Sequence, residues 1–309
     1  MDTVELGKTG LRPSVMGLGA GGPSRLGQSY EAPREQSVEV VREALELGVT
    51  LIDTAEAYRT EEIVREGIQG TPRETLVLCT KKSTWKEPEP AEVRQGCEDS
   101  LRQLGVEAID VYQMHGVSPE RYPYVRDELV PVMLELRDEG KIRFLGITEA
   151  FESDTGHEML QMALEDDVWD VMMVGFNLLN QTARERVFAE TMHRGIGTLI
   201  MFAVRRAFSN PDRMREILNE LVEKGQLDPE FAEAEDRFQF LLDGGAEDLA
   251  DAAYRFCRYE PGADVVLSGT GKVEHLRRNV ESLNRPPLSE AAVARAREIF
   301  AKVDSVSGS

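Results

Sequence analysis

Four side chains in the first half of the chain are of the types that together protonate a carbonyl oxygen: Asp53, Tyr58, Lys81 and His115. A phenol has an unperturbed pKa of roughly 10 and is a poor acid at neutral pH. A neighbouring ammonium favours the phenolate and lowers that pKa. A carboxylate such as Asp53 would hold the ammonium in place. The imidazole can donate to the same carbonyl oxygen and relay the proton. Such a cluster suits protonation of a carbonyl as hydride reaches its carbon. Singly these residues say little, since an Asp after a strand is more often a helix cap and a Lys a solvated charge. The set, in order, is harder to dismiss.

The elements that must position them are three short apolar phrases between Leu51 and His115: LIDTAEAY, LVLCTKK and IDVYQMHG. Each has strand length and β-branched residues and ends in ionisable ones. Helix-like segments lie between them, roughly Thr60 to Gln69 and Glu89 to Leu104. Three β-α units therefore deliver Asp53, Lys81 and His115 to the carboxyl ends of parallel strands, with Tyr58 in the loop after the first. That edge is where ligands bind in such proteins. Side chains alternate along a strand, so Lys81 is expected inward with Cys79 and Val77, and Lys82 outward.

The rest of the chain repeats the unit. DTVEL and LRPSV read as a hairpin over residues 2–15, around Gly7 to Gly10. Val15 to Leu18 reads as the first strand and runs into a flexible loop, Gly19-Ala20-Gly21-Gly22-Pro23. No helix opens from that loop, so it is not a dinucleotide fingerprint. A helix is expected from Arg34 to Leu47, stopped by Gly48. Later strands read as Ile142 to Thr148, Val168 to Asn177, Gly197 to Val204 and Asp264 to Ser268. Strand starts recur about every 25 to 35 residues except across the last interval, and eight such units close a barrel. The expected fold is α/β: a single-domain (β/α)8 TIM barrel over residues 1–309, with an N-terminal β-hairpin and a long helical insertion before the last strand. The insertion, residues 205–262, contains an acidic and aromatic stretch, Leu227 to Gly245, expected to pass over the site as a lid. Residues 288–309 read as a helix, about Ser289 to Val303, and a mobile tail.

The chain has 56 acidic and 36 basic residues, a net charge of −20. This argues against a nucleic-acid surface, which needs a basic face. No run approaches about 18 apolar residues, so no membrane span is expected. Cys79, Cys97 and Cys257 are scattered and make no disulfide framework, and no Cys/His spacing suggests a metal. A reduced, cytoplasmic, soluble protein is expected, its oligomeric state open.

IDTAEAY, TKK, YQMHG and GLGAGG resemble the aldo-keto reductase superfamily. So do the later phrases EGKIRFLGIT, FNLLN, RGIGTLI and VVLSGTGKVEHLRRNVES. The likeness covers nearly the whole chain, with gaps mainly between Ala207 and Leu249. It implies an NAD(P)H-dependent oxidoreductase interconverting aldehydes or ketones and alcohols, with Tyr58 as proton donor or acceptor. It implies NADPH, with NADH possible, lying extended across the barrel mouth. By the same resemblance Gly19, Ala20, Gly21, Asp53 and Phe202 contact the cofactor, and Thr148, Glu149, Met173 and Met201 meet its nicotinamide end. Arg205 and Arg206 face the pyrophosphate. Gly269, Thr270, Lys272, His275, Arg278 and Asn279 hold the adenosine and its 2′-phosphate. A Gly-rich loop entering a helix N-terminus beside cations suits an anion.

The pattern departs at the nicotinamide end. Thr148-Glu149 stands where the family has Ser-Asn, Met173 where it has Gln, and Met201 where a tyrosine stacks on the ring. Gly269 and His275 replace its usual basic residues. Glu149 is expected to accept from the carboxamide NH2, unless it points away and serves the substrate or the fold, and the nicotinamide is expected to be loosely oriented. Two other readings compete: a cofactor-binding regulatory barrel with slow or incidental turnover, and a hydrolase or isomerase using carboxylates at the mouth. The complete tetrad favours the reductase over the first. The absence of a clear carboxylate pair disfavours the second. Trp85 and Phe202 are candidate apolar walls for a substrate the sequence does not name.

Overall fold

Strict alternation on eight parallel strands builds the molecule, and a computed structural model describes all 309 residues. The strands are β1 Met16–Gly19, β2 Leu51–Asp53, β3 Val77–Ser83, β4 Ile109–Val117, β5 Ile142–Glu149, β6 Val171–Gly175, β7 Gly197–Met201 and β8 Val265–Ser268. Each pairs with the next and β8 returns to β1, closing the barrel. Odd-numbered positions point inward on every strand but β5, where Phe144, Gly146 and Thr148 do. Leu51, Val77, Cys79, Val111, Val171, Met173, Leu199 and Val265 fill the interior above a floor of Leu6 and Leu11. The alternate positions, Leu145 and Ile147 on β5 among them, face the helices, where a second, larger apolar layer of 72 residues forms. Continuing the inward rows upward brings Asp53, Lys81 and His115 to the top of the barrel.

The N-terminal segment closes the bottom as a loose hairpin, with one bridge, Thr3 to Ser14, and bonds from Val4 N to Pro13 O and Leu6 N to Leu11 O. At Gly7 a Cβ would lie 2.3 Å from the backbone nitrogen of Gly197, so glycine lets the turn press against β7. Local signals set the helix ends. Glu89 and Glu92 form a capping box before the helix Pro90–Leu104, and Gly105 ends it in the left-handed region. β7 stops at Met201 rather than Val204, because Phe202 has φ 68 and leaves the extended conformation. No helix is long and apolar enough to cross a membrane.

Two expectations are corrected. The stretch 227–245 does not reach the cavity at the tetrad; Glu235 to Gln239 and Leu242 line a neighbouring one beside the loop after β8 instead. Of its short helices, Gln239–Asp243 lies against the C-terminal helix Glu290–Ile299 and Pro229–Glu233 against the helix Pro211–Glu223. Phe231 packs edge-on against Phe238 and Phe300, which draws the stretch to the barrel's side. The tail after Asp304 is docked, not mobile. Asn180 Nδ2 donates to Val306 O at 3.0 Å, Asn177 Nδ2 to Ser307 O at 3.0 Å and Ala207 N to Gly308 O at 3.3 Å. Val303 and Val306 are buried beneath it. Side-chain amides from the loop after β6 give this extended backbone the partners that a strand would otherwise supply.

Candidate active site

Lys81 is fully buried at the upper end of β3, and its ammonium donates to both oxygens of Asp53 at 2.6 Å and to Thr54 O at 2.7 Å. Gln113 Nε2, one inward position below His115 on β4, donates to Asp53 at 3.3 Å. Tyr58 ends a single 3-10 turn, Glu56–Tyr58, that follows β2. Its ring centroid lies 5.1 Å from Lys81 Nζ, and its hydroxyl is 3.1 Å from His115 Nε2. The four side chains proposed from sequence thus form one connected cluster. Lys82, on the opposite face of β3, reaches Glu56 at 3.1 Å.

Burial pushes the Asp53 carboxyl above its ordinary range, against the pull of Lys81. Burial is the largest influence on Lys81 and works against its charge, but Asp53 and Tyr58 together outweigh it and hold the ammonium above its usual value. The ammonium is therefore a fixed positive charge beneath the phenol. Tyr58 itself is raised by burial, with Lys81 pulling it back, so it is a protonated phenol at neutral pH and a competent donor. This differs from the lowered value expected from the ammonium alone: desolvation is the larger effect here. His115 is lowered to about 3 by burial and by repulsion from Lys81, so it is neutral. Its Nδ1 is buried without a partner. An unpaired buried N–H costs desolvation free energy, so the single ring proton is assigned to Nε2. His115 then donates to Tyr58, and the phenolic proton is free to point into the cavity. A neutral imidazole with no second partner orients the phenol and is not a proton relay.

The cluster opens into a cavity of about 1110 Å³. Gly19, Gly21, Asp53, Thr148, Met173, Met201, Phe202, Arg205 and Gly269 line it, together with Tyr58 and His115. Thr148 Oγ1 accepts from Gly116 N at 2.7 Å and keeps its own proton for donation. Glu149 is corrected. It contributes to the wall, but its carboxylate is turned outward, accepting from His157 Nδ1 at 2.9 Å and from Gly175 N at 2.7 Å. Burial raises this carboxyl, with His157 opposing. A carboxylate so engaged has no geometry toward a carboxamide. Ala20 is corrected too. Its side chain is buried in the helix-facing layer, its N–H donates to Asp53 O and its carbonyl accepts from Thr60.

A second cavity of about 860 Å³ adjoins the first through Val204, Tyr254 and Gly269. Thr270, His275, Arg278 and Asn279 line it. Arg278 is paired at 2.8 Å with Asp248, the N-cap of helix Leu249–Arg258. Lys272 and Arg206 border neither cavity and are exposed. Arg206 opens the short helix Arg206–Ser209, whose first turn sends it away from Arg205. Arg205 lies over the Phe202 ring, 3.9 Å from its centroid, and pairs with Glu152 at 3.1 Å.

Sequence reasoning missed several wall residues. Arg25, Ser118, Glu120, Arg121 and Phe151 line the first cavity, and Arg215 and Arg237 the second. Those in the first sit in loops after β1, β4 and β5, and position at the carboxyl end of a strand was the available signal. Trp85, flagged as a wall, stands 5.1 Å from the His115 ring.

A family model described as aldo/keto reductase family matches residues 15–301. The chain is 29% identical over 294 residues to the aldo-keto reductase YhdN of Bacillus subtilis (strain 168), covering 88% of this chain and 86% of that one. Among solved structures it superposes with TM-score 0.74 on the holo form of an aldo-keto reductase from Bacillus halodurans, at 22% identity, covering 99% and 98% of the two chains. An aldo-keto reductase from Klebsiella pneumoniae in complex with NADPH gives TM-score 0.71 at 23% identity, covering 98% and 96%.

Proposed function

The chain belongs to the aldo/keto reductase family, and from that membership we propose that Tyr58 is the proton donor and acceptor of its reaction. The protein is an NAD(P)H-dependent oxidoreductase interconverting aldehydes or ketones and alcohols. The observation that carries the role of Tyr58 is its hydroxyl, 3.1 Å from a neutral His115 and above the buried Lys81–Asp53 pair, at the wall of the large cavity.

The residues present fit a dinucleotide. Two cavities share a wall, one at the tetrad and one at the first turns of the helix Val273–Asn284, where His275, Arg278 and Asn279 stand. Thr148, Met173, Met201 and Phe202 would hold the nicotinamide end, Arg205 the pyrophosphate, and Gly269, Thr270, His275, Arg278 and Asn279 the adenosine end. When bound, NADPH supplies the hydride. The rest belongs to the chain. Tyr58 donates its proton to the carbonyl oxygen, His115 Nε2–H and the Lys81 ammonium stabilise the resulting phenolate, and Asp53 keeps that ammonium charged. In the oxidative direction the same phenolate accepts the alcohol proton.

The substrate is a small carbonyl compound or alcohol. Three unpaired, buried cysteines suit a reducing compartment such as the cytoplasm. NADPH fluorescence on mixing, followed by steady turnover with sugars, aromatic aldehydes and ketones, tests the reading. Cofactor binding with no turnover across that panel would favour a regulatory barrel instead.

A further inference from the structure

We infer that Arg25 is a positioning residue for the proton donor, gripping the main chain of Tyr58 and so fixing the phenol against His115. The inference rests on the reading of Tyr58 as that donor.

Tyr58 sits on a weak element. Its 3-10 turn has three residues and ends at Arg59, which has φ 56. Such a turn cannot by itself hold a ring steady. The carbonyl of Tyr58 accepts two hydrogen bonds from one guanidinium, Arg25 Nε at 3.1 Å and Nη2 at 2.5 Å. Gly21 lies against the ring, where a Cβ would come within 2.3 Å of Cε2. Arg25 N donates to Gly21 O at 3.2 Å, so one turn supplies both contacts. Tyr58 is thus held at its carbonyl by Arg25, at its ring by Gly21 and at its hydroxyl by His115.

That turn is strained. Arg25, Leu26 and Gly27 have φ of 46, 55 and 98 in succession. Side chains disfavour this region, and such strain persists only where the surroundings over-determine it, most often at functional sites. Here Leu26 is fully buried and its carbonyl accepts from Ser37 Oγ at 2.6 Å, anchoring the turn on the helix Arg34–Glu46. On the far side a Cβ at Gly271 would lie 2.4 Å from Gly27 N, so the turn also rests on the loop after β8. Glycine would hold position 25 at less cost. An arginine there is accounted for by what its side chain reaches, the carbonyl of Tyr58.

The test uses the full chain with NADPH and compares Arg25→Met, Arg25→Lys and Arg25→Asn. Asparagine tolerates a positive φ, so that variant keeps the backbone while losing the reach. Misplacing a reacting group should lower kcat about 10-fold or more in Arg25→Met and Arg25→Asn, with the NADPH Kd within about twofold of wild type. The solvent deuterium isotope effect on kcat should rise as proton transfer becomes limiting, and Arg25→Lys should recover part of the loss. A kcat and isotope effect at wild-type level in Arg25→Asn would overturn the inference. So would a loss confined to Kd, which would make Arg25 a cofactor ligand. In 13C-tyrosine NMR of the NADP+-loaded protein, the Tyr58 line, identified by its absence in Tyr58→Phe, should shift or broaden in Arg25→Asn. If the wild type turns over no carbonyl, the functional reading fails, and the Tyr58 line still decides the role of Arg25.

Discussion

The Lys81 ammonium lies 2.6 Å from each carboxylate oxygen of Asp53, and neither side chain is more than 5% exposed. Removing one partner of such a pair strands the other in a medium of low polarity. Lys81→Met should abolish turnover and cost stability, roughly 3–5 kcal/mol for an uncompensated buried charge. Lys82→Met removes only a contact with Glu56 on the outer face and should leave kcat close to wild type. Steady-state kinetics and thermal denaturation of the two variants check this, and the reverse ranking would refute the inward role of Lys81.

Tyr58→Phe keeps the ring against Gly21 and deletes only the hydroxyl. It should bind NADPH normally and lower kcat by roughly 10²-fold or more, the scale of general acid catalysis. Near wild-type kcat with chemistry limiting would remove Tyr58 from its role.

His115 stays neutral in the folded chain to about pH 3, against an ordinary value of 6.5. Between those values the unfolded chain takes up a proton that the folded chain refuses. The stability contributed by a neutral His115 is therefore complete above its unfolded value and declines as pH falls, by up to about 1.4 kcal/mol per pH unit. Melting temperatures measured from about pH 4 to about pH 7 should fall less steeply toward acid in His115→Asn than in wild type. Equal slopes would show that the imidazole is not held neutral.

Met173 points into the barrel and Glu149 points out of it, so substitutions there should separate binding from stability. Met173→Gln offers a carboxamide both a donor and an acceptor, and one added hydrogen bond of roughly 0.5–1.5 kcal/mol should tighten NADPH binding several-fold. Glu149→Gln weakens the bonds to His157 and Gly175, at a cost of roughly 1–3 kcal/mol in stability, and should leave the NADPH Kd unchanged. Fluorescence titration and thermal melts of both variants read the two effects. A weakened Kd in Glu149→Gln with unchanged melting would return that carboxylate to the cofactor.

The barrel was legible because its repeat is: apolar runs with ionisable ends recur at the spacing of β-α units. Alternation on β3 separates Lys81 from Lys82. The same rule applies at Thr148-Glu149, where adjacent residues cannot both face the nicotinamide, and the family pattern masked it. Other features were not legible. The split between Arg205 and Arg206 depends on where a four-residue helix begins. The grip of Arg25 depends on a left-handed turn that composition does not mark. The tail reads as polar and small, and its order comes from Asn177 and Asn180, more than a hundred positions away.

That docked tail ties the barrel's completion to the order of synthesis. The loops after β6 and β7 donate hydrogen bonds to the carbonyls of residues 306–308, and Ser309 Oγ meets both Arg205 and Glu152 at the mouth of the cavity. On a ribosome these loops must wait, without these partners, until residues 306–309 have emerged. A polypeptide tag fused directly after Ser309 would start at that mouth and crowd Arg205.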